Sequence, residues 1–303
     1  MKTLLLGARG AVGTVIAREL ESSGHAVTAA GRTAPGDAGV DLRGDLTSLR
    51  RLASGHDVVV NASGIERADL ADATGDTPLV DISATGSYLD ALREAASGPV
   101  VLGAGLVPGL STLLVDSLAY HPGDDVDVLV MLGAGERHGP AAVEWTAGLI
   151  GTDLHRPPEG GTVRNLRESR RETGADGRTR RYLRADFPDH ILLSGPDAPA
   201  IRSYLTLSSA PTTAALSALS RIPSLRRTLA WAPHLGSDAW HVIARNRRTG
   251  ERRQASGFGQ SEATGRLTAL AAVGAVRAVG AVTMAEVVTL PEALNVLASG
   301  TAG

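Results

Sequence analysis

The chain begins with a short apolar segment that leads directly into regularly spaced glycines and then into a helical pattern. Thr3–Leu6 has strand character, Gly7, Gly10 and Gly13 follow it, and Ala11–Ser22 has helical character. A strand, a turn with glycine at every third position and a helix are typical of the first unit of a parallel sheet that binds a dinucleotide. The context matters because the chain has 36 glycines, so a glycine-rich turn alone would be weak support.

Each glycine of this turn has a predicted role. Gly7 permits the sharp turn, Gly10 lets the backbone approach a diphosphate, and Gly13 allows the helix and strand to pack closely. We expect the diphosphate at the N-terminus of the helix, where free N–H groups and the helix dipole favour an anion. The predicted diphosphate loop is Gly7, Ala8, Arg9, Gly10, Ala11, Val12 and Gly13. The alternative is an ordinary tight turn.

Strand and helix patterns alternate through the first hundred residues, which predicts a parallel sheet with helices on both faces. The fold class is therefore α/β, with a Rossmann-type doubly wound sheet. The predicted strands are Thr3–Leu6, His25–Ala30, Val40–Leu42, Asp57–Ala62, Pro78–Ile82 and Pro99–Leu102. The predicted helices are Ala11–Ser22, Leu46–Ala53 and Ser87–Ala96.

The centre of the chain has longer strand patterns and few helices, which predicts a mainly antiparallel α+β domain inserted into the first one. Its predicted strands are Val126–Leu132, Thr162–Arg167, Arg180–Ala185, Ile201–Leu207 and Trp240–Arg245, and its clearest helices are Ala141–Ile150 and Thr212–Leu219. Glu262–Val279 is helical again and is expected to return to the first domain. We therefore predict a nucleotide-binding domain at 1–118 and 261–303 and a substrate or dimerisation domain at 119–260.

The end of the second predicted strand indicates which dinucleotide is bound. An NAD site usually has an acid there to hold the ribose hydroxyls, whereas this chain has Arg32, with no acid before Asp37. Arg32, helped by Arg9, suits the 2′-phosphate of NADP, so NADP is predicted over NAD; the alternative is that Arg32 is a surface arginine. Asp45 and Leu46 are expected near the adenine. The segment expected under the cofactor ribose is Asn61, Ala62, Ser63 and Gly64.

Composition and charge exclude several other kinds of chemistry. The chain has no cysteine, and Lys2 is its only lysine, which excludes thiolate nucleophiles, disulfides and an internal Schiff base. The net charge of −2 gives no basic field for nucleic acid, and the arginine-rich stretch Arg164–Arg184 is interpreted as a solvated hairpin. We expect no metal site, because the histidines lack ligand spacing, and no membrane segment or secretory signal, which predicts a soluble cytoplasmic protein.

Several segments together resemble the saccharopine dehydrogenase-like reductases. They are the glycine turn, Val58–Gly64, Val80–Gly86 and Gly103–Leu110, of which the last has the most specific pattern, G-x-G-x-x-P-G-L. The resemblance covers 1–120 and 240–303 and hardly touches the centre. It implies a Rossmann domain interrupted by an α+β substrate domain, a homodimer, and hydride transfer between a nicotinamide and a C=N or conjugated C=C bond. It also implies that the nicotinamide wall includes Asp81, Ser83, Gly103 and Gly105.

Three side chains are candidates for proton transfer or catalytic support. Tyr88 follows the strand Pro78–Ile82, but the lysine of a short-chain dehydrogenase is replaced by Leu92, so packing at a helix start is the alternative. His241 lies on a strand, where a structural role is the alternative. Asp81 is a candidate too, either in catalysis or in holding its loop by backbone hydrogen bonds.

The combined prediction is an NADP-dependent oxidoreductase that reduces a C=N, C=O or conjugated C=C bond of a small or mid-sized metabolite. Two alternatives remain: an atypical short-chain ketoreductase in natural-product tailoring, and a non-catalytic regulator that senses NADP. An open polar cleft facing the nicotinamide would distinguish an enzyme from a sensor. The sequence leaves the substrate, the proton donor and the oligomeric state open.

Overall fold

The structure is a computed structural model that describes residues 1–136, 140–222, 224 and 236–299. The chain divides into two compact units, one of Met1–Leu110 with Ser261–Gly303 and the other of Ser111–Gln260. We call them the outer unit and the central unit. Within the described residues each unit contains a six-stranded sheet. Among these residues, no helix is both long and apolar enough to cross a membrane.

The sheet of the outer unit is parallel throughout, with the strand order β12-β5-β4-β3-β1-β2. Its strands are β1 (Lys2–Leu6), β2 (Ala26–Ala30), β3 (Val58–Asn61), β4 (Leu79–Asp81), β5 (Val100–Leu102) and β12 (Ala281–Thr283). The inner strands β3, β4 and β5 are buried along their whole length. This burial explains why they have continuous apolar runs instead of alternating polar and apolar residues.

Helices connect these strands on both faces of the sheet, and one more helix, α10, follows the last strand. They are α1 (Ala11–Ser22), α2 (Thr47–Ala53), α3 (Leu70–Thr74), α4 (Gly86–Ala95), α9 (Gln260–Ala275) and α10 (Leu290–Ala298). The crossover through α1 leads from β1 to its neighbour β2, and the crossover through α2 returns to β3 on the other side of β1. Because such crossovers are right-handed, α1 and α2 lie on opposite faces. The strand order therefore reverses beside β1, and open α/β sheets bind ligands at such a point.

The sheet of the central unit has the order β11-β10-β6-β9-β8-β7, and every described pair except β6 with β9 is antiparallel. Its strands are β6 (Asp125–Leu132), β7 (Ser169–Thr173), β8 (Thr179–Arg184), β9 (Ala200–Leu207), β10 (Ala239–Asn246) and β11 (Arg252–Phe258). The helices of the central region are α5 (Leu110–Asp116), α6 (Pro140–Leu149), α7 (Asp189–Leu192) and α8 (Ala210–Leu219). The predicted fold class, a doubly wound parallel sheet with an inserted mainly antiparallel domain, is confirmed.

Two predicted strands are absent from the described structure. Val40–Leu42 forms no strand; Gly31 and Gly39 pair only as an isolated bridge, and the preceding Gly36–Ala38 forms a 3-10 turn. Val40 and Leu42 are apolar because they are buried, not because they pair in a sheet. Thr162–Arg167 is also irregular, since Leu166 has a left-handed φ of 63° that an extended strand does not allow.

Three strands were not predicted: β7, β11 and the three-residue edge strand β12. β7 and β11 are edge strands in which buried and exposed positions do not follow a clean apolar alternation. Both are rich in charged residues, which is common where an edge must remain soluble. The predicted hairpin in Arg164–Arg184 is present, because β7 pairs with β8 around a turn at Gly177.

Candidate functional site

The glycine turn has almost no space for side chains at two of its three glycines. Gly7 has a left-handed φ of 86°, and a Cβ there would lie 2.4 Å from the backbone oxygen of Ala62. A Cβ on Gly13 would lie 2.1 Å from the backbone oxygen of Gly7. A Cβ on Gly10 would lie 3.4 Å from that oxygen, a distance that the backbone tolerates. Gly7 and Gly13 are thus required by packing, whereas Gly10 leaves its outer side open.

Helix α1 begins at this turn with an unblocked N-terminus. Its N-cap is Gly10, which has no side chain with which to cap the first N–H groups. The first helical residues are Ala11, Val12 and Gly13, which are small and uncharged. The first N–H groups of a helix lack partners within the helix, and together with the helix dipole they attract anions. This end of α1 suits a diphosphate.

A cavity of about 400 Å³ opens beside the turn at the carboxyl ends of β1 and β2. Of the described lining residues, three are arginines and one is an aspartate: Arg9, Arg32, Arg43 and Asp41. The other lining residues are Gly7, Ala8, Gly10, Ala29, Ala30, Gly31, Thr33, Ala34, Pro35, Val40, Leu42, Ser63 and Ile65. The volume lies within the range of small-molecule sites, and the excess of positive charge suits an anionic ligand.

The arginines approach the cavity from three segments of the chain. Arg32 is the second residue after β2 and is exposed. Arg9 belongs to the glycine turn and donates a hydrogen bond through Nη2 to Thr33 Oγ1, which ties the turn to the segment after β2. Arg43 lies beyond the Gly39 bridge and was not predicted. A guanidinium is always charged and donates several hydrogen bonds in a plane, so it suits a phosphate.

The segment after Gly39 forms a wall of the cavity. Val40 N donates a hydrogen bond of 3.2 Å to Gly31 O, which holds this segment beside the end of β2. Arg67 Nη1 donates to Leu42 O at 2.9 Å and to Gly44 O at 2.7 Å from the other side. These contacts place Asp41 and Leu42, not Asp45 and Leu46, in the lining.

Asp45 and Leu46 instead start helix α2. Asp45 Oδ1 accepts a hydrogen bond of 2.8 Å from Thr47 N, and hydrogen bonding from Thr47 lowers the pKa of Asp45. Leu46 is buried. The chain has two Asp-Leu pairs four residues apart, so the sequence pattern did not distinguish which of them lines the cavity.

Residues of β3, β4, the loops that follow these strands, and α4 form a polar cluster, which we call the Asp81 cluster: Asn61, Ser63, Asp81, Ser83 and Tyr88. Asn61, Asp81 and Tyr88 are buried, and the two serines are half-buried. Tyr88 donates its hydroxyl hydrogen to Asp81 Oδ2 at 2.8 Å, and Asn61 Nδ2 donates to the same oxygen at 2.7 Å. Ser83 N donates to Asp81 Oδ1 at 2.8 Å. Asn61 Oδ1 accepts from Ser63 Oγ at 2.6 Å.

The segment Gly103–Gly109 forms a closed loop between β5 and α5. Gly105 N donates to Pro108 O at 2.9 Å, and Gly105 O accepts from Leu110 N at 2.9 Å. Gly103 and Gly109 have positive φ values of 65° and 127°. A Cβ on Gly105 would lie 3.1 Å from Thr264 Cγ2 on α9. Packing therefore requires small residues in this loop, whether or not a nicotinamide lies against it.

His241 lies on β10 in the central unit and is buried. Its Nε2 is 2.7 Å from the hydroxyl oxygen of Tyr182. Burial, with a smaller contribution from Arg180, lowers the pKa of His241 to about 4, so the imidazole is neutral at neutral pH. The neighbouring Trp240 is buried as well.

The predicted cofactor residues fall into two groups. Those that line the cavity are Gly7, Ala8, Arg9, Gly10, Arg32 and Ser63. Those outside the described lining are Ala11, Val12, Gly13, Asp45, Leu46, Asn61, Ala62, Gly64, Ser83, Gly103 and Gly105. Several of the second group support the first, since Gly13 packs on Gly7 and Asn61 bonds Ser63. Among the described residues, no group of three or more His, Cys, Asp or Glu could hold a metal ion.

Comparison with known proteins gave no family match. No family model matches the chain, and no curated protein matches it. The fold of the chain is similar to that of the C. glutamicum DAP dehydrogenase in complex with DAP, with 14% identity over 97% of this chain and 95% of that chain, at a TM-score of 0.46. It is also similar to a meso-DAP dehydrogenase mutant from Clostridium tetani E88 (13% identity, 96% and 95% covered, TM-score 0.47).

A third solved structure with a similar fold is the dipicolinate-bound dihydrodipicolinate reductase from Paenisporosarcina sp. TG-14. The identity is 13% over 93% of this chain and 97% of that chain, and the TM-score is 0.40. All three likenesses are weak.

Proposed function

We propose that this chain is an NADP-dependent oxidoreductase of the saccharopine dehydrogenase-like kind. The observation that carries the proposal is the cavity beside the glycine turn, where Arg9, Arg32 and Arg43 meet at the carboxyl ends of β1 and β2. The strand β2 ends at Ala30 and is followed by Gly31 and Arg32, with an arginine where NAD sites usually have an acid. Three arginines in the lining of one cavity favour a ligand with a phosphate beyond the diphosphate.

The residues around the cavity fit NADP. The N-terminus of α1 would receive the diphosphate, because Gly10 leaves its outer side open and Gly13 brings helix and strand together. Arg32, Arg9 and Arg43 would hold the 2′-phosphate, and Asp41 would accept hydrogen bonds from the adenine amino group. A bound nicotinamide would supply a hydride to a C=N, C=O or conjugated C=C bond of a small or mid-sized metabolite.

The protein's part in such a reaction is to bind, orient and exclude water. The Asp81 cluster and the loop Gly103–Gly109 follow β4 and β5, so they emerge at the same edge of the sheet as the glycine turn. We propose this edge as the nicotinamide end of the site. His241 stays a prediction from the sequence as a candidate for proton transfer; with a pKa of about 4 it is neutral at neutral pH, so it would accept a proton and would not donate one as an imidazolium.

Two further proposals concern the whole protein. We propose that it is a cytoplasmic protein and, as the family resemblance implies, that it forms a homodimer. Sedimentation equilibrium should then give a mass of twice 31.1 kDa, whereas a single species of 31.1 kDa would contradict the dimer.

The cofactor proposal is tested by titrating the protein with NADPH and with NADH and following the fluorescence of the reduced nicotinamide. Arg32→Ala should weaken the binding of NADPH by roughly ten- to a hundredfold, because a charge-assisted contact is lost. The binding of NADH should be little changed. Arg43→Ala should likewise weaken the binding of NADPH and leave the binding of NADH little changed. Arg178→Ala, which removes an exposed arginine from the β7–β8 turn, is the control and should change neither.

Equal losses for NADPH and NADH in Arg32→Ala would show that Arg32 has no role in cofactor choice. Failure of the unsubstituted protein to bind either cofactor would refute the proposed function. Binding without turnover of any imine, ketone or enone would favour the regulator over the enzyme.

A further inference from the structure

The Asp81 cluster connects a buried tyrosine to the wall of the cavity. Tyr88 and Asn61 each donate a hydrogen bond to Asp81 Oδ2, and all three side chains are buried. Burying polar groups is costly unless they are paired, so each of these contacts constrains its partners. The cluster joins three parts of the outer unit: β3 with the loop after it, the end of β4, and α4.

The contacts of the Asn61 amide define which way it points. Its Nδ2 donates to Asp81 Oδ2, which also accepts from the Tyr88 hydroxyl, and Oδ1 points the other way. Oδ1 accepts hydrogen bonds from Ser63 N at 3.2 Å and from Ser63 Oγ at 2.6 Å. Ser63 Oγ in turn accepts from Ile65 N at 3.1 Å, and Asn61 Nδ2 also donates to Ile65 O at 3.1 Å.

The loop held in this way is part of the cavity wall. Ser63 and Ile65 line the cavity, while the backbone of Ala62 and Ser63 packs directly on Gly7. A displacement of the loop would therefore move both the wall and the glycine turn. Asp81 and Tyr88 are not part of this lining, and the Asn61 side chain connects them to Ser63 and Ile65.

We propose that Asp81 and Tyr88 are positioning residues for the dinucleotide cavity, holding the loop 61–65 in place through the Asn61 amide. The inference rests on the proposed function and deepens it. Tyr88 gives its single hydroxyl hydrogen to Asp81, so that hydrogen is not directed at a substrate. In this proposal Tyr88 and Asp81 support the cofactor wall and do not take the catalytic roles predicted for them from the sequence.

The pKa values of the pair are both shifted by burial. Burial raises the pKa of Asp81, and hydrogen bonds from Ser83, Asn61 and Tyr88 reduce that shift because they stabilise the ionised form. Burial, and then the charge of Asp81, raise the pKa of Tyr88 well above its usual value. Tyr88 therefore keeps its hydrogen and remains a donor to Asp81.

The first test is Tyr88→Phe, which removes only the hydroxyl. Loss of this hydrogen bond should loosen the loop, so the amides of Ser63 and Ile65 should exchange with deuterium faster in the protein without ligand. Affinity for NADPH should fall roughly three- to tenfold, the loss expected for one ordinary hydrogen bond. Tyr120→Phe, which removes a hydroxyl from the central unit, is the matched control and should change neither quantity.

Asp81→Asn is the second variant. Asp81 accepts hydrogen bonds from Tyr88 and Asn61 at one oxygen and from Ser83 N at the other. The amide has only one oxygen, so it cannot accept all three hydrogen bonds. The variant should accelerate the same exchange more than Tyr88→Phe does. If Asp81→Asn fails to fold, Tyr88→Phe decides the question.

Three outcomes in Tyr88→Phe would overturn the proposal. The first is unchanged exchange of residues 61–65, and the second is faster exchange with unchanged NADPH affinity. The third is a loss of turnover by about a hundredfold or more with exchange and affinity unchanged, which would mark Tyr88 as a proton donor. If the unsubstituted protein binds neither NADPH nor NADH, the proposed function fails, while the exchange rates still decide whether the cluster holds the loop.

Discussion

Gly10 and Gly13 belong to the same turn, but their surroundings give them different roles. The position of a Cβ on Gly13 is occupied by the backbone oxygen of Gly7, at 2.1 Å, whereas the position on Gly10 is 3.4 Å from that oxygen. A backbone atom cannot move aside as the end of a flexible side chain can. Gly13 is therefore needed for folding of the turn, and Gly10 is needed only if a ligand approaches it.

Gly13→Ala is expected to lower the free energy of unfolding by about 1–3 kcal/mol, since overpacking outweighs the gain in helix propensity of up to about 1 kcal/mol. Urea denaturation measures this. Gly148→Ala is the control, because nothing lies within 4 Å of a Cβ there on helix α6. Gly10→Ala should have nearly the same free energy of unfolding as the unsubstituted protein and yet bind NADPH poorly. A Gly13→Ala protein as stable as the control would show that the turn adapts.

At the scale of elements, the loop Gly103–Gly109 and helix α9 are packed against each other. Besides the contact between Gly105 and Thr264, Thr268 Oγ1 donates a hydrogen bond of 2.7 Å to Ala104 O. The end of β4 contributes as well, since Asp81 O accepts from Ala104 N at 2.8 Å. Helix α9, which is distant in sequence, thus supports the loop, and the glycine pattern reflects this packing.

Gly105→Ala should destabilise the protein by about 1–2 kcal/mol, because its methyl group would press on Thr264 Cγ2. Thr264→Ser removes that methyl from α9, so it should restore stability when combined with Gly105→Ala. A double-mutant cycle in urea measures the coupling, expected at about 0.5 kcal/mol or more. Additive effects would refute the contact. If the double variant is as stable as the unsubstituted protein but has lower turnover per folded molecule, the methyl group added by Gly105→Ala disturbs ligand binding or reaction and not only the contact with Thr264.

At the scale of the whole molecule, buried and paired acids make stability depend on pH in opposite directions. Arg248 beside Asp124 and Arg180 beside Asp176 lower the pKa of these carboxyls, so their contributions are lost as the pH falls. Asp189 is fully buried on α7 in the central unit, and burial raises its pKa to about 6. Its contribution is present below its unfolded pKa of about 4 and is lost as the pH rises through 6.

Asp189→Asn is therefore expected to stabilise the central unit at pH 7.5, on the order of 2–3 kcal/mol, and to have little effect at pH 4. Asn keeps an oxygen that can accept the 2.6 Å hydrogen bond from Ser111 Oγ without the buried charge. Urea denaturation at the two pH values measures the difference. An equal effect at both would mean that Asp189 does not titrate between them.

The sequence by itself determined the elements whose signals are local. The apolar runs of β1, β3, β4 and β5 and the glycine spacing were sufficient to predict the parallel sheet and the turn, because backbone geometry and burial act over a few neighbouring residues. The long strands of the central unit were predicted for the same reason. The edge strands β7 and β11 were not, since an edge strand in water needs no apolar face.

Only the tertiary structure decided which residues meet at the cavity. Asp41-Leu42 and Asp45-Leu46 are equivalent as sequence patterns, and the bridge between Gly31 and Gly39 places the first pair in the wall. In the same way, the register that pairs Asn61 with Asp81 brings the two side chains together across neighbouring strands. Such contacts depend on strand order and register, which arise from packing of the whole sheet, and no local pattern in the chain encodes them.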